Sequence, residues 1–218
     1  PACMRLLGRA HTLNLYNETS RGLSDIVRNL NSAAYMATII DAFAHVHSLN
    51  LSHCLGVTDV SVLGAVHSLN LSDCVNVRDV SALGGVHTLN LSRCTGVTDV
   101  GALGAVYSLN IRDCCGVTDV SALGGVHTLD LSRCRGGRKG MGALGHVHTL
   151  HIDSATPSEA GALGGVHTLQ VDLADNDVVS SLGAVRTLHI GTGPVTRVDA
   201  LAHVHTLHLN TCWRLSDV

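Results

Sequence analysis

From Val46 onward the chain repeats itself at intervals of 20 residues, and few architectures are compatible with so short a period. The first four units read VHSLNLSHCLGVTDVSVLGA, VHSLNLSDCVNVRDVSALGG, VHTLNLSRCTGVTDVGALGA and VYSLNIRDCCGVTDVSALGG. A fifth unit is one residue longer, three units of 19 residues begin at Val147, Val166 and Val185, and a ninth begins at Val204. A period of this length predicts a solenoid, in which each unit buries its apolar face only against its neighbours.

Each unit divides into a short strand and a return segment. In the third unit, Leu89 and Leu91 alternate with polar residues, which predicts a strand with one buried face. Apolar residues then recur at every third position from Val97 to Val106, a spacing too tight for an α-helical stripe. We therefore expect a 3₁₀-like or extended return path, with glycines turning the chain into the next strand.

The composition predicts a core of leucine, valine and alanine, because aromatic residues make up only 2% of the chain. Charged residues amount to 14%, against about 25% in a typical soluble domain. The net charge is −3, so a nucleic-acid partner is not expected. No apolar run reaches the length of a membrane span and no secretory leader is recognisable. We therefore expect no membrane partner and an intracellular, cytoplasmic location.

The period fails at both ends of the chain. We expect two domains: residues 1–45, an N-terminal strand near His11 followed by a helical cap or insertion, and residues 46–218, the repeat array. Ser24 and Ser32 precede apolar helical runs and are suitable N-caps. The last unit stops part-way at Val218, so we expect a truncated array or one that covers its end by self-association.

The units resemble leucine-rich repeats, whose pattern LxxLxLxxC/N they match from residue 10 to the end of the chain. The VTDVSAL segment is similar to internalin-type repeats, and the cysteine followed by VTD resembles repeats found beside F-boxes, although both families have longer units. Arrays encoded by giant viruses are similar in their near-identical short units, and a viral origin would imply the host cytoplasm.

This resemblance implies an α/β repeat solenoid, a slab or horseshoe with one parallel β-sheet of about ten strands. Its convex side would be 3₁₀ or extended, with few α-helices near the N-terminus. The resemblance also implies that the chain binds an unknown protein partner through side chains that face outward from the strands.

Charged residues occupy the position before the repeated cysteine and alternate in sign through the middle of the array. One interpretation is lateral pairing between neighbouring strands, which stabilises a sheet by about 0.2–1 kcal/mol per pair. The other is a docking surface for a partner, because arginine is common at interface hot spots. The residues of this predicted surface are Asp73, Arg93, Arg112, Asp113, Arg133 and Trp213.

In the fifth unit a basic, glycine-rich stretch replaces the usual GVTDV. It contains Arg135, Arg138 and Lys139, and it lacks the length and the Gly-Lys-Ser/Thr ending of a phosphate-binding loop. Departures from a repeat are common sites of function. We expect either a contact with an acidic partner or the sequence drift of a decaying repeat.

Histidine occurs 15 times, and many of these residues lie in one column immediately before the strands. Stacked imidazoles repel one another when protonated, so we expect lowered pKa values and a looser array below about pH 6. Zinc would require three or four imidazoles to converge, which alternating strand residues do not favour. We expect no metal and no other cofactor; the groups that would test this are His146, His148 and His151, and His203, His205 and His208.

Asparagine and cysteine form two further columns. Asn50, Asn70, Asn90 and Asn110 are expected to bond between rungs through their amides. The repeated cysteines are expected to be buried free thiols, although neighbouring rungs lie within disulfide range.

No cysteine stands apart from the repeat with a recruited base, so no catalytic residue is predicted. The predicted function is that of a non-enzymatic scaffold for protein–protein interaction. The alternatives are a self-assembling element that stacks through its end and, third, an enzyme or metal protein.

Overall fold

The computed structural model describes residues 11–15, 32–134 and 139–211. The strands of these residues form one parallel sheet. The ten strands follow chain order, so each interior strand pairs with those of the preceding and following units. They are β1 (Thr12–Asn14), β2 (Ser48–Asn50), β3 (Ser68–Asn70), β4 (Thr88–Asn90), β5 (Ser108–Asn110), β6 (Thr128–Asp130), β7 (Thr149–Ile152), β8 (Thr168–Leu173), β9 (Thr187–Thr192) and β10 (Thr206–Thr211). The ten-stranded solenoid predicted from the repeat is confirmed.

Equivalent residues of neighbouring units lie side by side in the sheet. Leu89 pairs in register with Leu69 on one side and Leu109 on the other, and all three side chains are buried. Leu91, two residues later, is buried in the same way. Because full burial of a leucine is worth about 1.5–3 kcal/mol, stability is distributed along the array.

The regular units return through 3₁₀ helices, as the three-residue spacing predicted. An aspartate precedes four of these helices, at Asp59, Asp79, Asp99 and Asp119; Asp79 Oδ1, for example, accepts a hydrogen bond of 2.9 Å from the backbone N–H of Ser81. The 3₁₀ segments are Ile40–Phe43, Ser61–Leu63, Ser81–Gly85, Gly101–Ala105, Ser121–Gly125, Met141–His146 and Asp199–Leu201. Together they form the return side of the solenoid, opposite the sheet.

Neighbouring 3₁₀ segments pack backbone against backbone, and glycine makes this possible. A Cβ atom on Gly64 would collide with the carbonyl oxygen of Ala82, and one on Gly84 would collide with that of Ala102. The repeated glycine is therefore required for the close approach of one unit to the next.

The first α-helix, α1 (Ala33–Ile39), lies near the N-terminus, where helices were predicted. Ser32 is its N-cap, because the side chain accepts a hydrogen bond from the backbone N–H of Tyr35. Met36, Ile39 and the following Phe43 are buried, so the helix packs its apolar face on the first unit. The helical run predicted after Ser24 lies outside the described residues.

Two further α-helices, α2 (Pro157–Ala162) and α3 (Asn176–Ser181), occupy the return side of two 19-residue units. The helices of the described residues are few, as predicted, and these two lie beyond the N-terminal region. A capping box between Thr156 and Glu159 starts α2, and the side chain of Asp175 caps α3. These local signals replace the aspartate turn of the regular units.

Candidate interaction surface

Five regular strands are followed by a residue with a left-handed backbone, three residues beyond the strand end. This conformation is rare outside glycine and costs a non-glycine residue about 1–2 kcal/mol. The five residues, which we call the turn column, are His53 (φ 60°), Asp73 (φ 62°), Arg93 (φ 61°), Asp113 (φ 59°) and Arg133 (φ 61°). They include four of the six residues predicted for the docking surface, presented from equivalent backbone positions.

Hydrogen bonds around each turn maintain this conformation. Asn90 Oδ1 accepts from the backbone N–H of Ser92 at 2.9 Å, and the backbone N–H of Arg93 donates to the carbonyl of Arg112 at 2.8 Å. The Cys94 N–H then donates to the carbonyl of Leu91 at 3.0 Å. The asparagine oxygens thus serve their own turns, whereas amide bonds between rungs were expected.

The charges of the turn column form a ladder of ion pairs across neighbouring units. Arg93 lies 3.6 Å from Asp73 and 3.8 Å from Asp113, and Asp113 also lies 3.7 Å from Arg112 and 4.0 Å from Arg133. The structure therefore brings together the predicted residues other than Trp213, which lies outside the described residues. The side chains of Arg93 and Arg133 are both 57% exposed.

The repeated cysteines attach each unit to the one before it. Cys74 Sγ donates to the carbonyl of Leu51 at 3.1 Å, and Cys94 Sγ donates to that of Leu71 at 3.0 Å. Burial raises the pKa of the Cys74 thiol to about 12, so it stays protonated and can donate. Cys74, Cys94 and Cys114 are buried free thiols, as predicted.

Aromatic rings stack in a continuous column at the edge where the strands begin. Neighbouring ring centroids lie 4.4–4.7 Å apart and neighbouring planes differ by 10–19°. Where a threonine follows, as at His87 and Thr88, Nδ1 and the hydroxyl oxygen lie 3.1–3.3 Å apart. This ring column consists of His11, His47, His67, His87, Tyr107, His127, His148 and His167.

The predicted lowering of histidine pKa values is confirmed at two members of the ring column. Desolvation lowers the pKa of His47, and the neighbouring His11 and His67 add to the effect. Desolvation also lowers the pKa of His167, with contributions from His148 and Arg186.

One histidine outside the column has the opposite environment. His151 on β7 lies between two carboxylates: Nδ1 is 3.4 Å from Asp130 on β6, and Nε2 is 2.9 Å from Asp172 on β8. Hydrogen bonding to Asp130, followed by that to Asp172, raises the pKa of His151 despite its partial burial. We call this group the histidine bridge; it ties three strands together at the end of the regular units.

The histidine bridge was not predicted from the sequence, where His151 was considered only as a possible zinc ligand. The signal was present in the outward column, where Asp130 and His151 take the place of asparagine on successive strands. In the part of the chain that the structure describes, no group of three or more His, Cys, Asp and Glu side chains could hold a metal ion.

The basic stretch is only partly visible, since Arg135 and Arg138 lie outside the described residues. Lys139 is described, and its Nζ lies 2.7 Å from Asp119 Oδ2. Its backbone also bridges to Asp119 as a neighbouring strand would. Within residues 11–15, 32–134 and 139–211, no α-helix has the length and hydropathy to span a bilayer.

Comparison with solved structures identifies similar solenoids. An internalin from Listeria monocytogenes aligns with a TM-score of 0.54 and 16% sequence identity, over 95% of this chain and 68% of the internalin chain. A leucine-rich-repeat protein from Leptospira interrogans aligns with a TM-score of 0.52 and 12% identity, over 95% of this chain and 56% of that chain. No family model and no curated protein matches the sequence.

Proposed function

We propose that this chain, which has the fold of the leucine-rich-repeat family, is a non-enzymatic scaffold that binds another protein through the outward face of its sheet. The turn column is the observation that carries this proposal. A left-handed arginine costs stability, and strained residues of this kind are concentrated at functional sites. Here the strain recurs in five successive units, and it presents charged side chains at regular intervals.

The geometry of the ion pairs supports a docking surface over a purely structural ladder. Hydrogen-bonded ion pairs have N···O distances of about 2.7–2.9 Å, whereas those of Arg93 are 3.6 Å and 3.8 Å. Pairs of this length on exposed side chains contribute about 0–1 kcal/mol each. The guanidinium groups of Arg93 and Arg133 therefore keep their donors available for a partner's carboxylates or carbonyl oxygens.

The proposed surface comprises residues predicted from the sequence. Trp213 and the basic stretch at Arg135 and Arg138 belong to the proposal on sequence grounds alone. Lys139 already pairs with Asp119, so we give it a smaller role in partner binding. The surface residues with described contacts are Asp73, Arg93, Arg112, Asp113 and Arg133.

Affinity capture with matched charge reversals tests this proposal. The immobilised chain is exposed to an extract of its source cell, beside the double variant Arg93→Glu, Arg133→Glu. The control is Arg78→Glu, Arg197→Glu, which changes the net charge equally at exposed positions away from the turn column. We expect one retained protein to be lost from the first variant only, provided that circular dichroism shows all three chains folded. Equal retention by both variants would contradict docking on the turn column.

A second candidate, stacking of copies end to end, is supported by β10. Its inward Leu207 and Leu209 are only partly buried, whereas Leu188 and Ile190 on β9 are fully buried. Apolar strand edges favour association with another strand. A molar mass that rises with concentration at neutral pH, and that falls after Leu209→Lys, would support this alternative.

A further inference from the structure

We propose that two copies of this chain associate side by side in mild acid, with the ring column of one copy seated on a row of aspartates of the other. The aspartates, which we call the acidic row, are Asp59, Asp79, Asp99 and Asp119. This interface uses neither the turn column nor β10, so it is independent of the proposed partner-binding function.

The ring column presents one free nitrogen per imidazole. In the His87 unit, Nδ1 faces the hydroxyl of Thr88 at 3.3 Å, so Nε2 remains for an outside partner. The same arrangement holds at His127, His148 and His167. Most rings of the column are exposed, and Tyr107 is exposed by 45% of its surface. The column is therefore a line of exposed ring nitrogens, each of which is a donor when its imidazole is protonated.

The acidic row presents one free oxygen per unit. Oδ1 of each aspartate accepts a bond of 2.8–3.0 Å from a backbone N–H two residues later, which fixes the carboxylate. Asp59, Asp79 and Asp99 are exposed, and their Oδ2 atoms are not used in any ion pair among the described residues. At the fourth position Oδ2 of Asp119 already binds Lys139 Nζ at 2.7 Å, which shows that this oxygen accepts a nitrogen donor.

The two lines have matching intervals, because both advance by one residue per unit of the same solenoid. The rings lie 4.4–4.7 Å apart. At the acidic row, Asp119 forms a parallel β-bridge with Lys139, the equivalent position of the next unit, and bridged strands lie about 4.8 Å apart. The 3₁₀ segments that follow Asp59, Asp79 and Asp99 also pack backbone against backbone from unit to unit. Docked in parallel, neighbouring imidazoles can therefore face neighbouring carboxylates.

Protonation controls the charge of the interface. Asp59 and Asp79 stay ionised in mild acid, since hydrogen bonds from Ser61 and Ser81 lower the pKa of these two carboxyl groups. Imidazole is the side chain whose charge changes between about pH 5 and pH 8, and opposing carboxylates favour its charged form. In the free chain, no ion pair among the described residues joins a carboxylate to the ring column.

Other titratable groups near the column are basic. His45 and His146 lie two residues before column members, and Arg186 continues the column beyond His167. These groups add to the repulsion within one copy when the pH falls. Carboxylates supplied from outside the copy would relieve that repulsion.

A second copy fits better than an acidic peptide or a nucleic acid. An extended peptide presents alternate side chains at about 6.6–6.8 Å, which does not match the 4.4–4.7 Å interval of the rings. The phosphates of double-stranded nucleic acid advance by about 3.4 Å per strand along the helix axis, which does not match this interval either. A second copy carries its carboxylates on a rigid array of the same period as the rings.

The contact joins two different surfaces, and such heterologous contacts generate open assemblies. This property provides a stringent test with two variants. The first variant removes the charge of the ring column by changing all seven of its histidines, His11→Gln, His47→Gln, His67→Gln, His87→Gln, His127→Gln, His148→Gln and His167→Gln. The second, Asp59→Asn, Asp79→Asn, Asp99→Asn, removes the unpaired carboxylates of the acidic row while keeping each Oδ1 acceptor, and Asp119 stays paired with Lys139. A 1:1 mixture restores one intact interface, between the rings of the second variant and the carboxylates of the first.

Sedimentation velocity at about pH 7.5 and about pH 5.5 is the measurement. We expect the unmodified chain to increase at least about twofold in mass at the lower pH, and to lose this increase in about 1 M salt. Each variant alone should remain monomeric, and the mixture should form dimers and nothing larger. Circular dichroism at both pH values verifies that the variants are folded.

Three results would overturn the proposal. The first is an unmodified chain that keeps its mass at the lower pH, and the second is an association that survives both sets of substitutions. The third is an association that requires the histidines and not the aspartates, which would assign the ring column to another anion. A retained strand-face partner in the capture experiment would be unaffected by any of these results.

Discussion

The regular units and the later units solve the same problem of stacking in different ways. Between residues 46 and 134 the strands have three residues, a left-handed residue follows, and a cysteine lies inside the turn. In the units that begin at 166 and 185 the strands have six residues and run through the left-handed position, at Leu173 and Thr192. Alanine and glycine replace the cysteine there, at Ala174 and Gly193.

This difference shows what the cysteine does. Its thiol donates to the carbonyl of a residue 23 positions earlier, and so it draws the chain inward directly after the strand. Without the thiol, the ladder of backbone bonds continues, as it does where the Leu173 N–H donates to Asp153. The exposed charged turn is therefore a property of the regular units, and it disappears where the cysteine does.

Core truncation should have the largest effect and should be similar in both regions. Leu89→Ala in a regular unit and Leu169→Ala in a later unit each remove a fully buried side chain of the same column. We expect each variant to lose about 2–5 kcal/mol of unfolding free energy in urea titrations. A loss confined to the regular unit would show that the later units do not share one cooperative core.

Removal of a single thiol should have the next largest effect. Cys94→Ala removes one of the two hydrogen bonds that the Leu71 carbonyl accepts and leaves the one from the Cys74 N–H, which should cost about 0.5–1.5 kcal/mol of unfolding free energy. Cys94→Ser keeps a donor and should recover part of the loss. Equal stability of the alanine variant and the unmodified chain would show that the thiol is not what maintains the turn.

The same thiols should resist alkylation while a neighbour reacts. Burial raises the pKa of Cys114 to about 12, whereas the adjacent Cys115 is exposed. Peptide mass spectrometry after brief iodoacetamide treatment at about pH 8 should find Cys115 labelled and Cys114 unlabelled in the folded chain. Comparable labelling of both residues would contradict the buried position of the cysteine column.

The pH dependence of stability should differ between the ring column and the histidine bridge. The pKa of His47 and of His167 is lowered by folding, so their contribution is complete above about pH 6.5 and is lost as the pH falls through the lowered values. The pKa of His151 is raised, so its contribution is complete below about pH 6.5 and is lost as the pH rises through the raised value.

Melting temperatures between pH 5.5 and pH 7.5 separate these two contributions. His151→Gln should lower the melting temperature more at about pH 5.5 than at about pH 7.5. His47→Gln should do the reverse and improve relative stability in acid. A dilute sample excludes any contribution from association, and parallel pH profiles for the two variants would contradict the assignment.

Substitution of arginine by glycine should have the smallest effect on stability, and the effect should be opposite in sign at two arginines of neighbouring units. Arg93→Gly removes a left-handed residue, so relief of about 1 kcal/mol should equal or exceed the loss of weak ion pairs. Arg112, in the next unit, does not have a positive φ, and Arg112→Gly should destabilise by about 0.5–1 kcal/mol. Urea titration measures both; destabilisation by both substitutions to the same extent would contradict the strain at Arg93.

Much of the fold follows from the sequence, because strand and return path have different periods. The alternation around Leu89 and Leu91 predicts the strand, and the three-residue spacing up to Val106 predicts the 3₁₀ return. The additional α-helices were predictable from the capping pair Thr156 and Glu159, but the regular pattern of the earlier units favoured a uniform return side.

The candidate site was less predictable, for physical reasons. Arginine has no preference for a left-handed backbone, so nothing local to Arg93 indicates its conformation. That conformation depends on the hydrogen bond that Asn90 Oδ1 accepts from Ser92 and on the bond from the Arg93 N–H to Arg112 in the next unit. The histidine bridge likewise requires the register of three strands, which a single unit does not contain.

The register of the sheet also makes the surface of this protein extensible. One inserted or deleted unit lengthens or shortens the cysteine column, the ring column and the acidic row together by one rung, and it leaves the geometry of all other rungs unchanged. Contacts along a rigid row form together. Each added rung therefore adds a similar increment of binding free energy and multiplies the affinity by a similar factor. Unequal recombination between near-identical units could therefore tune the strength of binding in discrete steps, without any change in the residues that bind.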